Sequence, residues 1–289
     1  MALLHLTDLH FHEVIVNPLR LMNKRFLANL NVWLRRRHVF RQERAEEFAD
    51  YLCSLGIREV LITGDFTCSA LEEEFVRARR FLEYLRDKGL APIILPGNHD
   101  VYTYESVRQR RYSRCLADFL PPEPLPCLLR LEDGMPLLLV PTVKPNPISA
   151  RGYISAEDLF LLKELLSGVT EETILVAGHY PLLDKTPTYH SGPMRQLRQA
   201  ATLRRILGRS GKRVLYMAGH EHRFSYVADP RYRKMQHLVS RPLFLLRSRE
   251  GIHGGFSEIR WEEDGFRVWE HVNSGGWEKQ SVEAFPMAE

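Results

Sequence analysis

The sequence predicts an α/β fold in which short buried strands alternate with helices. Five apolar runs each end abruptly at Gly, Asp, Asn or His, as strands do where they leave a sheet, and they cover residues 2–7, 59–63, 92–96, 173–177 and 214–218. Segments between these runs repeat apolar residues at helical spacing, at residues 71–87, 104–119, 156–166 and 194–207. This alternation is typical of α/β folds, whose central strands are buried on both faces.

The C-terminal part of the chain follows a different pattern. Residues typical of β-strands predict strands at 236–246, 255–261 and 266–273, with a turn at 263–265. These strands are expected to be antiparallel and to extend or face the first sheet. Residues 137–141 predict one more strand, and the proline-rich stretch 121–126 predicts a rigid loop. Because no repeat, low-complexity tract or linker interrupts the pattern, we expect one domain over residues 1–289.

Composition and charge exclude several classes of protein. The chain has 289 residues, of which 44% are hydrophobic and 26% charged, which excludes disordered, collagen-like and disulfide-framework proteins. A net charge of +4 is too small to predict a nucleic-acid partner. The separations of the four cysteines fit no paired metal-thiolate motif, so we expect reduced thiols and a cytoplasmic protein. The N-terminus does not resemble a signal peptide, and no apolar run approaches the ~20 residues of a membrane span.

A basic segment at about residues 14–44 stands out from this balance. It contains eight Lys or Arg side chains and one acidic side chain. Six apolar residues in it recur at helical spacing: Leu19, Met22, Phe26, Leu30, Trp33 and Leu34. The pattern predicts an amphipathic insertion that lies on an anionic bilayer or covers an acylated substrate. The alternative is a helix whose apolar stripe packs on the sheet while its arginines are solvated.

Polar side chains follow five of the predicted strands at the point where each strand ends. The blocks are Asp8-Leu9-His10, Gly64-Asp65, Gly97-Asn98-His99-Asp100, Gly178-His179 and Gly219-His220-Glu221-His222. From composition, Gly-His-x-His is expected ~0.03 times and Gly-Asn-His-Asp fewer than ~0.001 times, so these two blocks are specific. In open α/β folds such strand ends meet at one edge of the sheet. A bound cation is the economical partner for so many converging polar groups.

In this order, the five blocks resemble those of the calcineurin-like metallophosphoesterase superfamily. The resemblance spans Asp8 to His222 and implies a four-layer αββα sandwich of two mixed β-sheets. It also implies two divalent metal ions. One would be held by Asp8, His10, Asp65 and His222, and the other by Asp65, Asn98, His179 and His220.

The chemistry of such a centre accounts for these residue types. Two cations lower the pKa of a bridging water, so that hydroxide attacks phosphorus near neutral pH. Asp65 can bridge both ions, His99 is the candidate to protonate the leaving oxygen, and Asp100 is expected to orient its neighbours. Oxygen and nitrogen ligands without cysteine favour Mn²⁺, with Fe²⁺ or Zn²⁺ as alternatives. His12 and Arg195 are the candidates for substrate binding.

Differences between this sequence and the motifs of other superfamily members reduce the range of expected substrates. Protein phosphatases of the superfamily follow Gly-Asp with a stretch ending in Asp-Arg-Gly, which is missing after Gly64-Asp65. His99 favours a phosphodiester or pyrophosphate, because such leaving groups need a proton or charge relief. The sequence also resembles the bacterial branch with the UDP-2,3-diacylglucosamine pyrophosphatases of lipid A synthesis. The best-known members of that branch have Arg in place of His99, and they carry their lid insertion between the Gly-His and Gly-His-x-His blocks.

Three functions follow in order of preference. The first is hydrolysis of a nucleotide-linked lipid by a cytoplasmic enzyme that contacts the inner face of an anionic membrane. The second is a soluble cyclic-nucleotide or other phosphodiesterase, which would use the same five blocks. The third is a non-catalytic metal-binding interaction module. A repair nuclease is not expected, because this length leaves no room for added DNA-binding domains.

Overall fold

The structure is a computed structural model that describes residues 2–13, 40, 42–146, 149–245 and 254–287. The strands are β1 Ala2–Leu6, β2 Glu59–Ile62, β3 Ala91–Ile94, β4 Cys127–Arg130, β5 Pro136–Leu139, β6 Thr173–Ala177, β7 Arg213–Ala218, β8 Ser225–Ala228, β9 Met235–Val239, β10 Gly255–Glu262, β11 Gly265–Asn273 and β12 Trp277–Val282. The α-helices are α1 Ala45–Ser54, α2 Glu72–Asp87, α3 Tyr104–Arg108, α4 Arg111–Cys115, α5 Ala156–Ser167 and α6 Ala200–Gly208. Short 3₁₀ turns lie at Gln42–Arg44 and Ala117–Phe119.

The strands form two mixed six-stranded sheets. The first has the order β12-β11-β10-β1-β2-β3, with β1, β2 and β3 parallel and β10 to β12 an antiparallel extension. The second has the order β4-β5-β6-β7-β9-β8, with β5, β6, β7 and β9 parallel and an antiparallel strand at each edge. The carboxyl ends of the central parallel strands therefore set the position of the loops that follow them.

Apolar side chains fill the space between the two sheets and cover both outer faces. Leu3, Leu61 and Ile259 of the first sheet pack with Leu137 and Leu175 of the second in one cluster. A second cluster joins α1 and α2 to the first sheet, and a third joins α5 and α6 to the second sheet. The layers therefore run helix, sheet, sheet, helix, which confirms the predicted fold class.

Local sequence explains where the longer helices begin. Glu74 accepts hydrogen bonds from the backbone N–H groups of Ser69 and Leu71, which satisfies donors at the start of α2. Ser155 caps α5: its hydroxyl oxygen accepts from the N–H of Asp158 at 2.9 Å, and its own backbone N–H donates to the Asp158 carboxylate at 3.4 Å. This reciprocal arrangement is a capping box.

Three predicted elements differ from the structure. The helix predicted at 104–119 is divided into α3, α4 and a 3₁₀ turn, because Arg110 adopts a left-handed conformation with φ 50°. The helix predicted at 194–207 begins only at Ala200. The strand predicted at 236–246 is confined to β9, which pairs in parallel with β7 in the second sheet.

Other elements were missed because they are short or weakly patterned: α1, β4, β8 and β12. The predicted insertion at 14–44 lies mostly outside the described residues, which include only Phe40 and 42–44 of it. The expectation of one domain stays a prediction. Within the described ranges, no helix combines the length and apolar character that crossing a bilayer requires.

Candidate metal centre

The five polar blocks lie at the carboxyl ends of β1, β2, β3, β6 and β7, as their positions after the strands predict. Strands β1 and β7 belong to different sheets, and their ends approach closely at Gly219. A Cβ on Gly219 would lie 1.8 Å from Oγ1 of Thr7 and 2.5 Å from Oδ2 of Asp8. Only a residue without a side chain allows this approach, so the glycine brings the two halves of the site together.

The first group of side chains consists of Asp8, His10, Asp65 and His222, whose candidate ligand atoms all lie within 4.8 Å of one another. Nε2 of His222 is 3.1 Å from Oδ1 of Asp8 and 2.9 Å from Nε2 of His10. Oδ2 of Asp65 is 3.8 Å from Nε2 of His10. The buried Oδ1 of Asp8 makes no hydrogen bond of regular geometry within the described residues. A cation would satisfy this oxygen and the facing imidazole nitrogens, so the group could hold a metal ion.

The second group of side chains is centred on the amide oxygen of Asn98. This oxygen lies 3.1 Å from Nε2 of His179 and 2.9 Å from Nδ1 of His220. Oδ1 of Asp65 is 3.5 Å from Nε2 of His179. Asp65 therefore faces both groups, one with each carboxylate oxygen. The structure brings together all seven residues that the sequence analysis selected as metal ligands.

Backbone carbonyls orient the imidazoles of this site. Nδ1 of His179 is 2.7 Å from the carbonyl oxygen of Thr63, and Nε2 of His220 is 3.0 Å from that of Arg195. A ring N–H that donates to a carbonyl leaves the opposite nitrogen with its lone pair. The lone pairs of His179 Nε2 and His220 Nδ1 therefore face Asn98, as two ligands of one cation would.

Backbone strain is concentrated in the same residues. Positive φ angles occur at Asp8 (52°), His10 (51°), Asp65 (54°), His220 (71°) and His222 (56°). In the described part of the chain, only two other residues besides glycine have a positive φ, and they are Ala70 and Arg110. Such conformations persist where the surroundings over-determine them, and they cluster at functional sites.

Burial and charge favour the protonation states that metal ligands need. Burial opposes ionisation of Asp8, but the imidazoles of His222, His179 and His10 hold the pKa of its carboxyl well below the usual value. Burial also lowers the pKa of His179 and lowers that of His220 well below its usual value. An ionised carboxylate beside neutral imidazoles is the form in which these groups bind cations.

His99 lies at the rim of the two groups. Its backbone N–H donates to Oδ1 of Asp65 at 2.8 Å, and its Nδ1 is 2.6 Å from the carbonyl oxygen of Cys68. Its ring stacks on Tyr102 with centroids 5.2 Å apart, and it meets the His10 ring edge to face at 5.1 Å. The imidazole is therefore held in one orientation beside the centre.

Asp100 is buried beneath His99 and ties two loops together. Its carboxylate accepts from the backbone N–H of Gly97 at 2.8 Å, of Phe66 at 3.2 Å and of Thr67 at 2.9 Å. Burial raises the pKa of this carboxyl to about 6, against the lowering effect of those donors. These contacts fit the predicted orienting role, because they fix the loops that carry Asp65 and Asn98.

The two predicted substrate-binding residues lie beside the centre in different surroundings. His12 is buried, with Nδ1 3.4 Å from the His10 carbonyl oxygen, and the Gln42 side chain bonds to its backbone N–H and carbonyl. The guanidinium of Arg195 donates to the carbonyl oxygen of His220 at 3.0 Å. Binding of substrate by either residue stays a prediction.

Sequence reasoning missed two threonines that support the ligands. Oγ1 of Thr7 donates to Oδ2 of Asp8 at 2.8 Å, and Oγ1 of Thr142 accepts from the N–H of His179 at 2.9 Å. Thr142 follows a predicted strand at the same edge of the sheet as the five blocks. Its position directly after a predicted strand could have indicated from the sequence that Thr142 lies near the candidate ligands.

Comparisons with known proteins agree with this geometry. The family model of the calcineurin-like phosphoesterases matches residues 1–224. A dimetal phosphatase from Danio rerio is similar in structure, with a TM-score of 0.62 and 13% identity over 98% of this chain and 99% of that one. A purple acid phosphatase from yellow lupin seeds has a TM-score of 0.60 and 11% identity, over 100% of this chain and 54% of that one.

A structure of PhoD matches with a TM-score of 0.54 and 10% identity, over 100% of this chain and 74% of that one. At such identities the solved structures establish a shared fold. The sequence matches no curated protein. The family model covers more than half of the chain, including all five polar blocks. The chain therefore belongs to the calcineurin-like phosphoesterase family and is a metal-dependent phosphoester hydrolase.

Proposed function

We propose that this chain is a dinuclear enzyme that hydrolyses a phosphodiester or pyrophosphate bond. The observation that carries the proposal is the position of Asp65, whose Oδ2 lies 3.8 Å from Nε2 of His10 and whose Oδ1 lies 3.5 Å from Nε2 of His179. One carboxylate thus faces both groups of histidines. A ligand shared by two cations about 3.5–4 Å apart requires this arrangement.

The side chains divide into two ligand sets on this proposal. Asp8, His10, Asp65 and His222 would hold one cation, and Asp65, Asn98, His179 and His220 the other. When bound, the two cations would lower the pKa of a water molecule and stabilise negative charge on the transferring phosphoryl group. Mn²⁺ is the first candidate, because oxygen and nitrogen donors without thiolate suit it, and Fe²⁺ or Zn²⁺ would also accept them.

His99 is the proposed proton donor to the leaving oxygen. With Nδ1 held by the Cys68 carbonyl at 2.6 Å, the transferable proton of the imidazolium would be on Nε2. Stacking on Tyr102 keeps the ring from rotating away from the centre. A general acid matters most for an alkoxide or phosphate leaving group, which favours diesters and pyrophosphates as substrates.

Hydrolysis of UDP-2,3-diacylglucosamine at a membrane surface is the finer form of the proposal. It is supported by the basic amphipathic pattern at 14–44 and by the position of the described residues on either side of 14–39. The Phe40 ring lies 4.9 Å from that of His10 and 5.9 Å from that of His222. The backbone of His12 is bonded to the Gln42 side chain at 3.0 and 3.2 Å. The described residues on either side of 14–39, such as His12 and Phe40, therefore lie beside the first ligand set.

Activity measurements on the Mn²⁺-loaded full chain test the proposal. We expect turnover of bis(p-nitrophenyl) phosphate, lost on chelation and restored by Mn²⁺. Cleavage of UDP-2,3-diacylglucosamine to UMP and the lipid phosphate would support the lipid substrate. Cleavage of cyclic nucleotides without the lipid would assign a soluble phosphodiesterase instead. If the chain binds two metal ions but hydrolyses none of these esters, the remaining function is that of a non-catalytic metal-binding interaction module.

Membrane contact has its own test. Anionic liposomes should sediment the wild-type chain but not a variant in which Arg35, Arg36 and Arg37 are replaced by Glu. Neutral liposomes are the control, because the attraction to anionic lipid is electrostatic. Equal sedimentation of both proteins would remove the membrane from the proposal.

A further inference from the structure

His220 is held by a single residue from two directions. The guanidinium of Arg195 donates to the His220 carbonyl oxygen at 3.0 Å, and the Arg195 carbonyl accepts from Nε2 of the His220 ring at 3.0 Å. The first bond fixes the backbone of His220, and the second fixes its tautomer. Together they direct Nδ1 toward Oδ1 of Asn98, 2.9 Å away.

Glu221 strengthens this hold although it lies between two candidate ligands and belongs to neither ligand set. Its side chain is only 4% exposed, and its carboxylate accepts from the Ser191 hydroxyl. The other carboxylate oxygen lies 4.0 Å from Nη2 of Arg195. Because a buried carboxylate needs partners, these contacts tie the loop after β7 to the segment at 191–195.

The loop after β7 needs such restraint. His220 and His222 have φ angles of 71° and 56°, in the left-handed region that residues with side chains seldom adopt. Strained conformations persist only where their surroundings hold them. Asp8 provides one anchor by accepting from the His220 N–H at 2.9 Å. The contacts among Ser191, Arg195 and Glu221 provide a second anchor.

We propose that the side chains of Ser191, Arg195 and Glu221, the His220 clamp, set the affinity of the second cation position. This inference rests on the proposed two-metal function. The clamp residues are positioning residues, since they act through His220. Groups that orient a metal ligand typically contribute 10–100-fold to metal affinity. The first position depends less on the clamp, because the bonds of Arg195 are made to His220, which is a ligand of the second position.

Calorimetric titration of the metal-free full chain with Mn²⁺ tests this, since it requires no turnover. We expect Arg195→Met to weaken one of the two binding steps, that of the second position, about 10–100-fold and the other step less than about 3-fold. Glu221→Gln should act in the same direction, and Arg195→Lys should recover part of the loss. Arg198→Met is the matched control, because Arg198 is an exposed arginine three residues after Arg195 and is not part of the clamp. It should bind both ions as the wild type does.

Several outcomes would overturn the clamp. If Arg195→Met and Glu221→Gln bind Mn²⁺ with wild-type affinity at both steps, the clamp has no role in metal binding. If both steps lose affinity equally, the clamp does not act on the second position. A wild-type chain that binds a single ion would also overturn the proposal. If Arg195→Met does not fold, as judged by circular dichroism, the Mn²⁺ affinities of Ser191→Ala and Arg195→Lys at the two steps are compared with those of the wild type instead. Failure of the proposed function is distinguishable, because a chain that binds two ions through the clamp could still leave every phosphate ester intact.

Discussion

The backbone N–H of His220 donates to Oδ2 of Asp8 at 2.9 Å, between residues 212 positions apart in the chain. His220 follows β7 of the second sheet, and Asp8 follows β1 of the first. This bond and the close approach at Gly219 join the two sheets at the edge where the candidate ligands meet. The centre is therefore formed at the boundary between two sheets, and changes that separate their ends should affect metal binding and folding together.

Replacement of Gly219 by Ala should damage both stability and metal binding. The added Cβ would meet Thr7 Oγ1 at 1.8 Å and Asp8 Oδ2 at 2.5 Å, so β1 or the loop after β7 must move. Overpacking of this kind typically costs about 1–3 kcal/mol. Urea unfolding of the metal-free protein and Mn²⁺ titration would measure the two effects. Gly192→Ala is the control, because nothing lies within 4 Å of its added Cβ, and it should be nearly neutral.

Asp65→Asn should remove most activity while it preserves the fold. The substitution keeps the shape but removes the charge that faces both groups of histidines. Since changes to groups behind the ligands already cost about 10–100-fold, we expect a loss above about 100-fold, with reduced metal content by elemental analysis. Circular dichroism should be unchanged. Wild-type activity in a well-loaded variant would contradict the bridging role.

His99→Ala should slow turnover by about 10²–10⁴-fold without loss of metal. The loss should be greater for substrates with poor leaving groups than for p-nitrophenyl esters, whose phenolate departs without a proton. Comparison of the two substrate types, with metal content measured in parallel, checks the prediction. A uniform loss over both types would indicate that His99 acts on the phosphoryl group rather than on the leaving oxygen.

Removal of metal should lower stability as well as abolish activity. Ions that bind only the folded chain stabilise it by about 2.7 kcal/mol for each site at a concentration 100 times Kd. Thermal unfolding with and without chelator should therefore differ, and the difference should grow with Mn²⁺ concentration. A melting temperature that does not respond to Mn²⁺ would mean that the centre does not hold it in the native state.

Glu258 should make stability depend on acidic pH. Burial opposes its ionisation, but hydrogen bonds from His271, Lys279 and Arg260 lower the pKa of its carboxyl to about 2. Because the folded pKa is below the usual 4.5, the ionised form stabilises the protein above pH 4.5. This contribution decreases as the pH falls from there toward 2.

Urea unfolding of Glu258→Gln measures that contribution. We expect the variant to be less stable by about 1–3 kcal/mol at pH 6, since it replaces the buried carboxylate that accepts from His271, Lys279 and Arg260 with a neutral amide. The difference between wild type and variant should shrink at pH 3. Glu262→Gln, an exposed glutamate on the same strand, is the control and should show little difference at either pH. A difference independent of pH would contradict the lowered pKa.

The linear pattern was sufficient to predict the convergence of the candidate ligands and the positions of most of the central strands. Asn98 and His220 each follow an apolar run within a motif that composition makes rare, so their convergence could be predicted from strand ends alone. Periodicity was also sufficient for α2 and α5, because their buried residues recur at helical spacing and Ser155 marks the start of α5. It failed for the helix predicted at 104–119, where the left-handed Arg110 interrupts the pattern.

By itself, the sequence determined the fold class, which strands along the chain are followed by polar residues, and the identity of the candidate ligands. These depend on local spacing and burial, which neighbouring residues record. Only the tertiary structure decided that β9 joins the second sheet, that His220 presents Nδ1 and that Arg195 holds it. The physical reason is that a hydrogen bond between distant segments depends on how two sheets pack, and no local pattern encodes that packing.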